Sequence, residues 1–262
     1  MYKRMNEQLQ TEGAMALVTG ASSGIGLAYA RELARRGYDL LLVSNEQERI
    51  GTVAEELAAA FGVKTIPLCM DLARSEAARE LYDYCEREKL QIGILVNNAG
   101  IFFFDDLTEV APERIETMLL LHIRTVTLLC RYFGAAMKRR RAGYILNMSS
   151  LSAWTPAPGI SVYAASKSYI RKFSQMLRYE LHQYGVGVTT VCPGAIATGL
   201  YNLSDYYQRL ALRLGVMMKP ERLARKGLRA MFARRDYILP GAVNRFFVFV
   251  SPFELPGSEM TF

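Results

Sequence analysis

The stretch "TGASSGIG", residues 19–26, decides how the rest of this chain is interpreted. It ends the apolar run 14–20 and leads directly into a segment with helical periodicity. Glycines at 20, 24 and 26 permit a tight turn and let backbone N–H groups approach a phosphate at the N-terminus of a helix. The spacing is G-x-x-x-G-x-G rather than the common G-x-G-x-x-G, and its place between a first strand and a first helix predicts a phosphate-binding turn.

Short apolar runs recur along the chain after this turn, at residues 38–44, 63–70, 92–98, 143–150, 186–194 and 236–241. They are too continuously apolar for strands with one solvated face, as expected when helices cover both faces of a parallel sheet. The amphipathic segments 24–37 and 47–62 end in glycine, which indicates helix C-termini. The pattern predicts an α/β fold, a single Rossmann-type doubly wound domain of about seven parallel strands flanked by helices on both faces.

No linker, repeat or low-complexity segment divides the chain, so we expect one domain over residues 1–262. Residues 1–13 form a short N-terminal extension, and residues 242–262 form an apolar C-terminal tail. Residues 199–218 interrupt the alternation with an aromatic and aliphatic segment, placed where an open α/β sheet binds ligands. This segment is predicted to be a substrate lid or an additional packing helix, and the two are compatible.

Composition narrows the class of protein. Apolar residues make up 51% and charged residues 22%, which is typical of a globular, soluble chain. The cysteines, Cys69, Cys85, Cys130 and Cys192, lie in apolar stretches without a C-x-x-C pair, so we expect buried, reduced thiols. With no signal peptide, this indicates a cytoplasmic protein. No His, Cys or Asp spacing resembles a metal site, so no metal is expected.

The formal net charge of +7 is concentrated in two regions, residues 138–141 and 209–235. One interpretation is a solvated helix face with cations at a helix C-terminus. The alternative is attraction to a membrane surface or an anionic ligand. No aromatic-basic interleaving or binding motif accompanies the charge, so no nucleic-acid partner is expected.

Further short motifs follow the glycine turn in order, each at a predicted strand end or helix start. They are Asp71, "NNAG" (97–100), "NMSS" (147–150), "YAASK" (163–167) and "PGAIAT" (193–198). With this set, residues 13–241 resemble the short-chain dehydrogenase/reductase family, in its one-domain subgroup. The resemblance implies an NAD(P)-binding domain and an oxidoreductase that interconverts a ketone and a secondary alcohol, and we expect a reductase of an apolar carbonyl substrate.

Tyr163 and Lys167 are four residues apart, so on a helix they share one face. Reduction of a ketone needs a hydride, which the nicotinamide supplies, and a proton, which the protein supplies. A tyrosine has a pKa of about 10, and a cation within about 4–6 Å lowers it by about 1–3. The resemblance makes Tyr163 the acid–base and Lys167 the group that lowers its pKa and holds the nicotinamide ribose. It also makes Ser150 the residue that orients the carbonyl, with Ser149 structural.

The resemblance also implies where the dinucleotide lies. Asp71 would hold the adenine, residues 98–100 would lie under the adenosine ribose, and residues 196 and 198 would lie near the carboxamide. The full set of cofactor-binding candidates is Gly20, Ser22, Ser23, Gly24, Ile25, Gly26, Asn45, Asp71, Leu72, Asn98, Ala99, Gly100, Tyr163, Lys167, Pro193, Gly194, Ile196 and Thr198.

One position departs from the family's pattern. Most relatives carry asparagine in the helix after "NNAG", and here "LLLHIRT" places His122 there. In the family, the backbone carbonyl of that residue is thought to hold a water that links the lysine to solvent as a proton relay. A backbone role that survives the change, a histidine that joins the relay, and a histidine that fills a packing position remain alternatives.

The cofactor is NADP or NAD. NAD-preferring members usually end the second strand with an acid that binds the 2′-hydroxyl, and here that position holds Asn45. NADP-preferring members usually place a cation there, just after it, or before the second motif glycine, and those positions hold Asn45, Glu46 and Ser23. The missing carboxylate at Asn45 favours NADP, whereas Glu46 weighs against it.

Aromatic and apolar residues in segments predicted to rim the pocket suit an apolar ketone or alcohol. They are residues 101–107, Trp154, Tyr201, Tyr206, Tyr207, Met217 and Met218.

The tail and the basic stretch before it predict peripheral membrane contact or an apolar seam for oligomerisation, and the resemblance implies a homodimer or homotetramer. A 3-oxoacyl reductase and a catalytically silent dinucleotide-binding regulatory protein are the competing functions. The complete set Ser150, Tyr163 and Lys167 argues against the second.

Overall fold

The computed structural model describes residues 13–155, 157–197, 217–241 and 244. Several predictions concern residues outside these ranges. They are the extension before residue 13, residues 199–216 of the predicted lid 199–218, Thr198 with Tyr201, Tyr206 and Tyr207, and the tail except residue 244.

A parallel sheet of seven strands forms the centre of the fold. Its strands are β1 Met15–Thr19, β2 Leu40–Ser44, β3 Thr65–Cys69, β4 Ile92–Asn97, β5 Gly143–Met148, β6 Val186–Val191 and β7 Tyr237–Ile238. The spatial order is β3-β2-β1-β4-β5-β6-β7, with every neighbouring pair parallel. The doubly wound prediction is confirmed. The strand order reverses between β1 and β4, which opens a crevice at the carboxyl ends of the strands.

The helices occupy the segments between the strands. They are α1 Gly24–Ala34, α2 Gln47–Phe61, α3 Ala77–Arg87, α4 Pro112–Leu119, α5 Val126–Arg140, α6 Ser161–His182 and α7 Pro220–Phe232. A π-helical turn, Leu120–Thr125, joins α4 to α5, and a short 3-10 helix, Leu151–Ala153, follows β5. Gly62 directly follows α2 and Gly37 lies shortly after α1, so both glycines mark the helix ends that they predicted.

Two hydrophobic layers cover the two faces of the sheet. On one face, α1, α2 and α7 pack on the strands through side chains such as Tyr29 and Leu228. On the other face, α3, α5 and α6 do so through side chains such as Leu81 and Phe133. Every residue of β1, β2, β4, β5 and β6 is buried, which explains why these runs lack alternating polar residues.

The cysteine prediction is wrong at one position. Cys85, Cys130 and Cys192 are free and buried, as expected, but Cys69 is exposed. The reason is the strand order, because β3 lies at the edge of the sheet and only part of its surface is covered. The apolar run 63–70 did not reveal that edge position.

Three of the four basic residues at 138–141 have protein partners at the end of α5. Arg140 donates to the carbonyl of Ile92 at 2.5 Å, and Arg141 donates to the carbonyl of Gln183 at 3.1 Å. The ammonium of Lys138 lies 4.0 Å from the centre of the Tyr184 ring. These contacts favour the interpretation of cations at a helix C-terminus. Within the described ranges, no helix is both long enough and apolar enough to cross a bilayer.

Candidate active site

A cleft of about 450 Å³ opens at the carboxyl ends of β1 to β6. This volume lies in the range of small-molecule sites. Among the predicted site residues that the structure describes, only Gly26, which is buried, is absent from its lining; Thr198 lies outside the described residues. The predicted residues that line the cleft are Gly20, Ser22, Ser23, Gly24, Ile25, Asn45, Asp71, Leu72, Asn98, Ala99, Gly100, His122, Ser150, Tyr163, Lys167, Pro193, Gly194 and Ile196.

The glycine turn is shaped by close backbone approach. Gly20 has a φ of +64°, in the left-handed region that favours glycine. A Cβ added at Gly26 would lie 1.9 Å from the carbonyl oxygen of Gly20, so no larger residue fits without moving the turn. Ser23 precedes α1 without a side-chain hydrogen bond to it. The first N–H groups of α1 are therefore left to a ligand at the cleft, as a pyrophosphate requires.

The "NNAG" segment is held against the glycine turn by Thr19, a residue that the sequence analysis did not single out. The Thr19 hydroxyl accepts the N–H groups of Asn98 at 2.9 Å and Ala99 at 3.0 Å. In return, the Asn98 amide donates to the carbonyl of Thr19 at 3.0 Å. Because these bonds link the ends of β1 and β4, they fix the floor of the cleft where the strand order reverses.

The ends of β2 and β3 form an exposed edge of the cleft. The Ser44 hydroxyl donates to the Ser22 hydroxyl at 2.9 Å and accepts the N–H of Glu46 at 3.2 Å, which ties β2 to the glycine turn. Asn45 and Glu46 are exposed. Asp71 is also exposed, and one carboxylate oxygen accepts the N–H of Ala73 at 2.9 Å. The side chains that border this edge therefore project into a wet region of the cleft.

Helix α6 brings Tyr163 and Lys167 to the opposite end of the cleft. Their exposed fractions are 9% and 6%. The Lys167 ammonium lies 5.5 Å from the centre of the Tyr163 ring and donates to the carbonyl of Met148 at 3.1 Å. Burial lowers the pKa of Lys167 to about 8. Below that pH the ammonium is charged.

Ser149 and Ser150 lie beside this pair and make different contacts. The buried Ser149 hydroxyl donates to the backbone carbonyl of Lys167 at 2.7 Å, so it anchors α6 to the end of β5. The Ser150 hydroxyl accepts the N–H of Ser152 at 3.2 Å. This contact leaves the hydrogen of Ser150 available to an acceptor in the cleft.

His122 lies in the π-helical turn and is only 1% exposed. Its Nε2 accepts the N–H of Ile101 at 3.0 Å, and its Nδ1 lies 2.9 Å from the Ser166 hydroxyl. Ser166 donates its one hydrogen to the carbonyl of Tyr163 at 2.7 Å, so Nδ1 must be the donor to Ser166. Burial first, and then the charge of Lys167, hold the pKa of His122 well below 6.5.

This geometry makes His122 a neutral clamp between two parts of the site. Both ring nitrogens have protein partners, one in the loop after β4 and one on α6. The π-helical turn that carries this buried side chain was not predicted from the sequence, and such turns are rare in proteins.

The rim of the cleft is apolar near Tyr163. The Phe102 ring meets the Tyr163 ring edge-on, with centroids 5.0 Å apart. The guanidinium of Arg171 lies 4.6 Å from the centre of the Trp154 ring, so that ring is engaged in packing. Ile196 is buried and pairs in a parallel bridge with Met218, which holds residues 193–197 over the cleft. Among the described residues, no group of three or more His, Cys, Asp or Glu side chains is arranged to hold a metal ion.

A family model described as short chain dehydrogenase matches residues 14–205, a range that contains the glycine turn and both Tyr163 and Lys167. The chain belongs to the short-chain dehydrogenase family. A solved short-chain dehydrogenase from Sphingobium yanoikuyae, in complex with NADPH, shares 28% of its sequence with this chain. The match has a TM-score of 0.79 and covers 95% of this chain and all of that one.

Curated relatives of this chain are named after different functions. A very-long-chain 3-oxoacyl-CoA reductase of Anas platyrhynchos is 37% identical over 199 residues, which is 73% of this chain and 62% of that protein. The inactive hydroxysteroid dehydrogenase-like protein 1 of Homo sapiens is 33% identical over 202 residues, which is 75% of this chain and 60% of that protein. The chain thus spans about three fifths of the length of these relatives.

Proposed function

We propose that this protein interconverts an apolar ketone and a secondary alcohol, as a reductase of the ketone, with NADP or NAD as cosubstrate. The observation that carries the proposal is the buried Lys167 ammonium, 5.5 Å from the centre of the Tyr163 ring, in the same cleft as the glycine turn. The cleft fits a dinucleotide because the close approach at Gly26 keeps side chains out of the turn. The solved relative with NADPH supports the same fit.

Each residue of the site has a part in the proposed reaction. When bound, the nicotinamide supplies or accepts the hydride. The Tyr163 hydroxyl gives its proton to the carbonyl oxygen in reduction, and the Lys167 charge stabilises the phenolate that remains. The free hydrogen of Ser150 is donated to the same oxygen, which orients the carbonyl and stabilises charge that develops there. His122 holds α6 in place and takes no part in proton transfer, because it is neutral with both nitrogens occupied.

Two alternatives have observations in their favour. The name of the Anas platyrhynchos relative favours a 3-oxoacyl substrate within the same reaction class. The name of the human relative, which includes the word inactive, favours a dinucleotide-binding protein without turnover. Tyr163, Lys167 and Ser150 argue against that second alternative, since a protein that only binds a dinucleotide has no need of all three.

Assembly is a separate part of the proposal. We propose a homodimer or homotetramer, supported by apolar surface on the outer side of α6. Tyr169 is 38% exposed and Met176, two turns further along that helix, is 40% exposed. The molecular mass in solution tests this directly.

The test of the activity combines binding with turnover. NADPH and NADH are titrated by nicotinamide fluorescence, and their oxidation is then followed with small ketones, steroid ketones and 3-oxoacyl thioesters. We expect Tyr163→Phe to lower kcat by about 10²–10⁴-fold, the usual contribution of a general acid, and to change the nucleotide Kd by no more than about a few-fold. Tyr179→Phe, at an exposed position of the same helix, is the matched control.

The other outcomes separate the alternatives. Unchanged turnover in Tyr163→Phe would contradict the acid–base role. Tight nucleotide binding without turnover on any of these carbonyl compounds favours the silent dinucleotide-binding protein. If neither nucleotide binds, both proposals are wrong.

A further inference from the structure

We propose that Arg49 binds the 2′-phosphate of NADP and thereby sets the cofactor preference of this chain. The proposal rests on the proposed function, since it concerns which dinucleotide occupies the same cleft. Arg49 lies in the first turn of α2, which begins at Gln47 immediately after the exposed cleft residues Asn45 and Glu46. Arg49 is not at any of the positions 23, 45 and 46, where the sequence analysis expected a cation in an NADP-preferring member.

Arg49 makes a contact with the glycine turn at the edge of the cleft. Arg49 Nε donates to the backbone carbonyl of Ser22 at 3.3 Å. Ser22 belongs to the glycine turn and lines the cleft together with Ser44 and Asn45. The guanidinium is therefore held from α2 against the glycine turn, beside the residues that end β2. In a doubly wound fold, the end of the second strand is where the adenosine ribose is recognised.

The charge and the donors of the Arg49 guanidinium suit an anionic ligand. A guanidinium has five N–H donors, and the Ser22 contact uses only the one on Nε. Within the part of the chain that the structure describes, no carboxylate forms an ion pair with Arg49. Its remaining donors match the geometry of a phosphate, to which arginine binds with two parallel hydrogen bonds.

The side chains near Arg49 at this edge of the cleft add polar groups and one opposing charge. Ser22, Ser23 and Asn45 provide hydroxyl and amide groups at this edge that can donate to a phosphate, whereas Ser44 donates its one hydrogen to the Ser22 hydroxyl. Glu46 is the opposing group, because a carboxylate repels a phosphate and accepts from a free 2′-hydroxyl. The preference between NADP and NAD is therefore a balance between Arg49 and Glu46, which lie in adjacent parts of one loop and helix start.

The test compares variants that change charge at the cleft with one that changes it elsewhere. The variants are Arg49→Gln, Arg49→Lys and Glu46→Gln. Arg31→Gln, at an exposed position on α1, is the matched control. The Kd values of NADPH and NADH are measured by nicotinamide fluorescence, and 2′-AMP and 5′-AMP are used as competitors. Thermal unfolding without nucleotide verifies that each variant is folded.

We expect Arg49→Gln to weaken NADPH binding about tenfold to a hundredfold, the range for hydrogen bonds to a charged group, and to change NADH binding less than about twofold. Arg49→Lys should retain part of the NADPH affinity, because it keeps the charge and loses the planar donors. Glu46→Gln should strengthen NADPH binding a few-fold. Wild type should bind 2′-AMP more tightly than 5′-AMP, and Arg49→Gln should lose that difference.

Equal weakening of NADPH and NADH in Arg49→Gln, or no change in either, overturns the assignment of Arg49 alone. Wild type that binds NADH more tightly than NADPH also overturns it and leaves the proposed reaction intact. Wild type that binds neither nucleotide overturns the proposed function together with the role of Arg49.

Discussion

At the end of the cleft formed by β5 and α6, Lys167 and His122 are buried and hydrogen-bonded to the protein, whereas at the end formed by β2 and β3, Glu46 and Asp71 are exposed. Burial of an ammonium costs folding free energy, and it also strengthens the effect of that charge on a neighbouring phenol. An exposed side chain interacts weakly with the rest of the protein. The comparison indicates that stability and chemistry are coupled at the first end and separable at the second.

The largest effect is expected from Lys167→Met, which removes the buried charge. We expect kcat to fall by about 10²-fold or more, because the phenolate of Tyr163 loses the cation beside it. The free energy of unfolding should also depend on pH because Lys167 titrates at different pH values in the folded and unfolded states. The pKa of Lys167 is lowered from 10.5 to about 8, so between these pH values the unfolded state binds more protons than the folded state.

Wild type should therefore gain stability relative to Lys167→Met as the pH rises from about 8 to about 10.5, at up to about 1.4 kcal/mol per pH unit. Below about pH 8 the difference should be constant. Urea denaturation of both proteins over this range measures it, and Lys172→Met, at an exposed position of α6, is the control. A difference that does not vary with pH would mean that Lys167 is not buried as a titrating group.

The next effect concerns the clamp. His122→Ala leaves the N–H of Ile101 without its acceptor and opens a cavity, so the free energy of unfolding should fall by about 2–4 kcal/mol. In His122→Asn the profile of kcat against pH should keep its midpoints above pH 6.5, because the pKa of His122 is held well below 6.5.

The control for this prediction is His182→Asn, which changes an exposed histidine at the end of α6. A midpoint that moves in His122→Asn and not in His182→Asn would show that His122 takes part in proton transfer. The buried end would then be more than a rigid support.

The smallest effect is expected at the exposed end. Asp71→Asn should weaken nucleotide binding only a few-fold and change the free energy of unfolding by less than about 0.5 kcal/mol, as surface substitutions do. Fluorescence titration and urea denaturation measure the two quantities on one preparation. A loss of stability above about 1 kcal/mol would contradict the separation between the two ends, since within the described ranges Asp71 accepts a hydrogen bond only from the neighbouring Ala73.

The strands and the cleft followed from local sequence patterns. Continuous apolar runs marked all seven strands, and the ends of those runs placed Gly20, Asn98 and Ser150 at one edge of the sheet. The exposure of Cys69 did not follow, because it depends on the strand order. The contact of Arg49 with Ser22 did not follow either, since it joins residues 27 apart through the packing of α2 on the glycine turn. The single domain, the oligomer and the cytoplasmic location stay predictions.

The exposed Cys69 gives the chain a natural attachment point. It ends β3, two residues before Asp71, whereas burial raises the pKa of the Cys85, Cys130 and Cys192 thiols to about 12 and keeps them protonated. A thiol in that state reacts slowly with maleimides. An environment-sensitive dye added to the folded wild-type protein would therefore attach at one defined place on the rim. Ligand binding in the cleft would then change the fluorescence of the dye, and no engineered cysteine is needed.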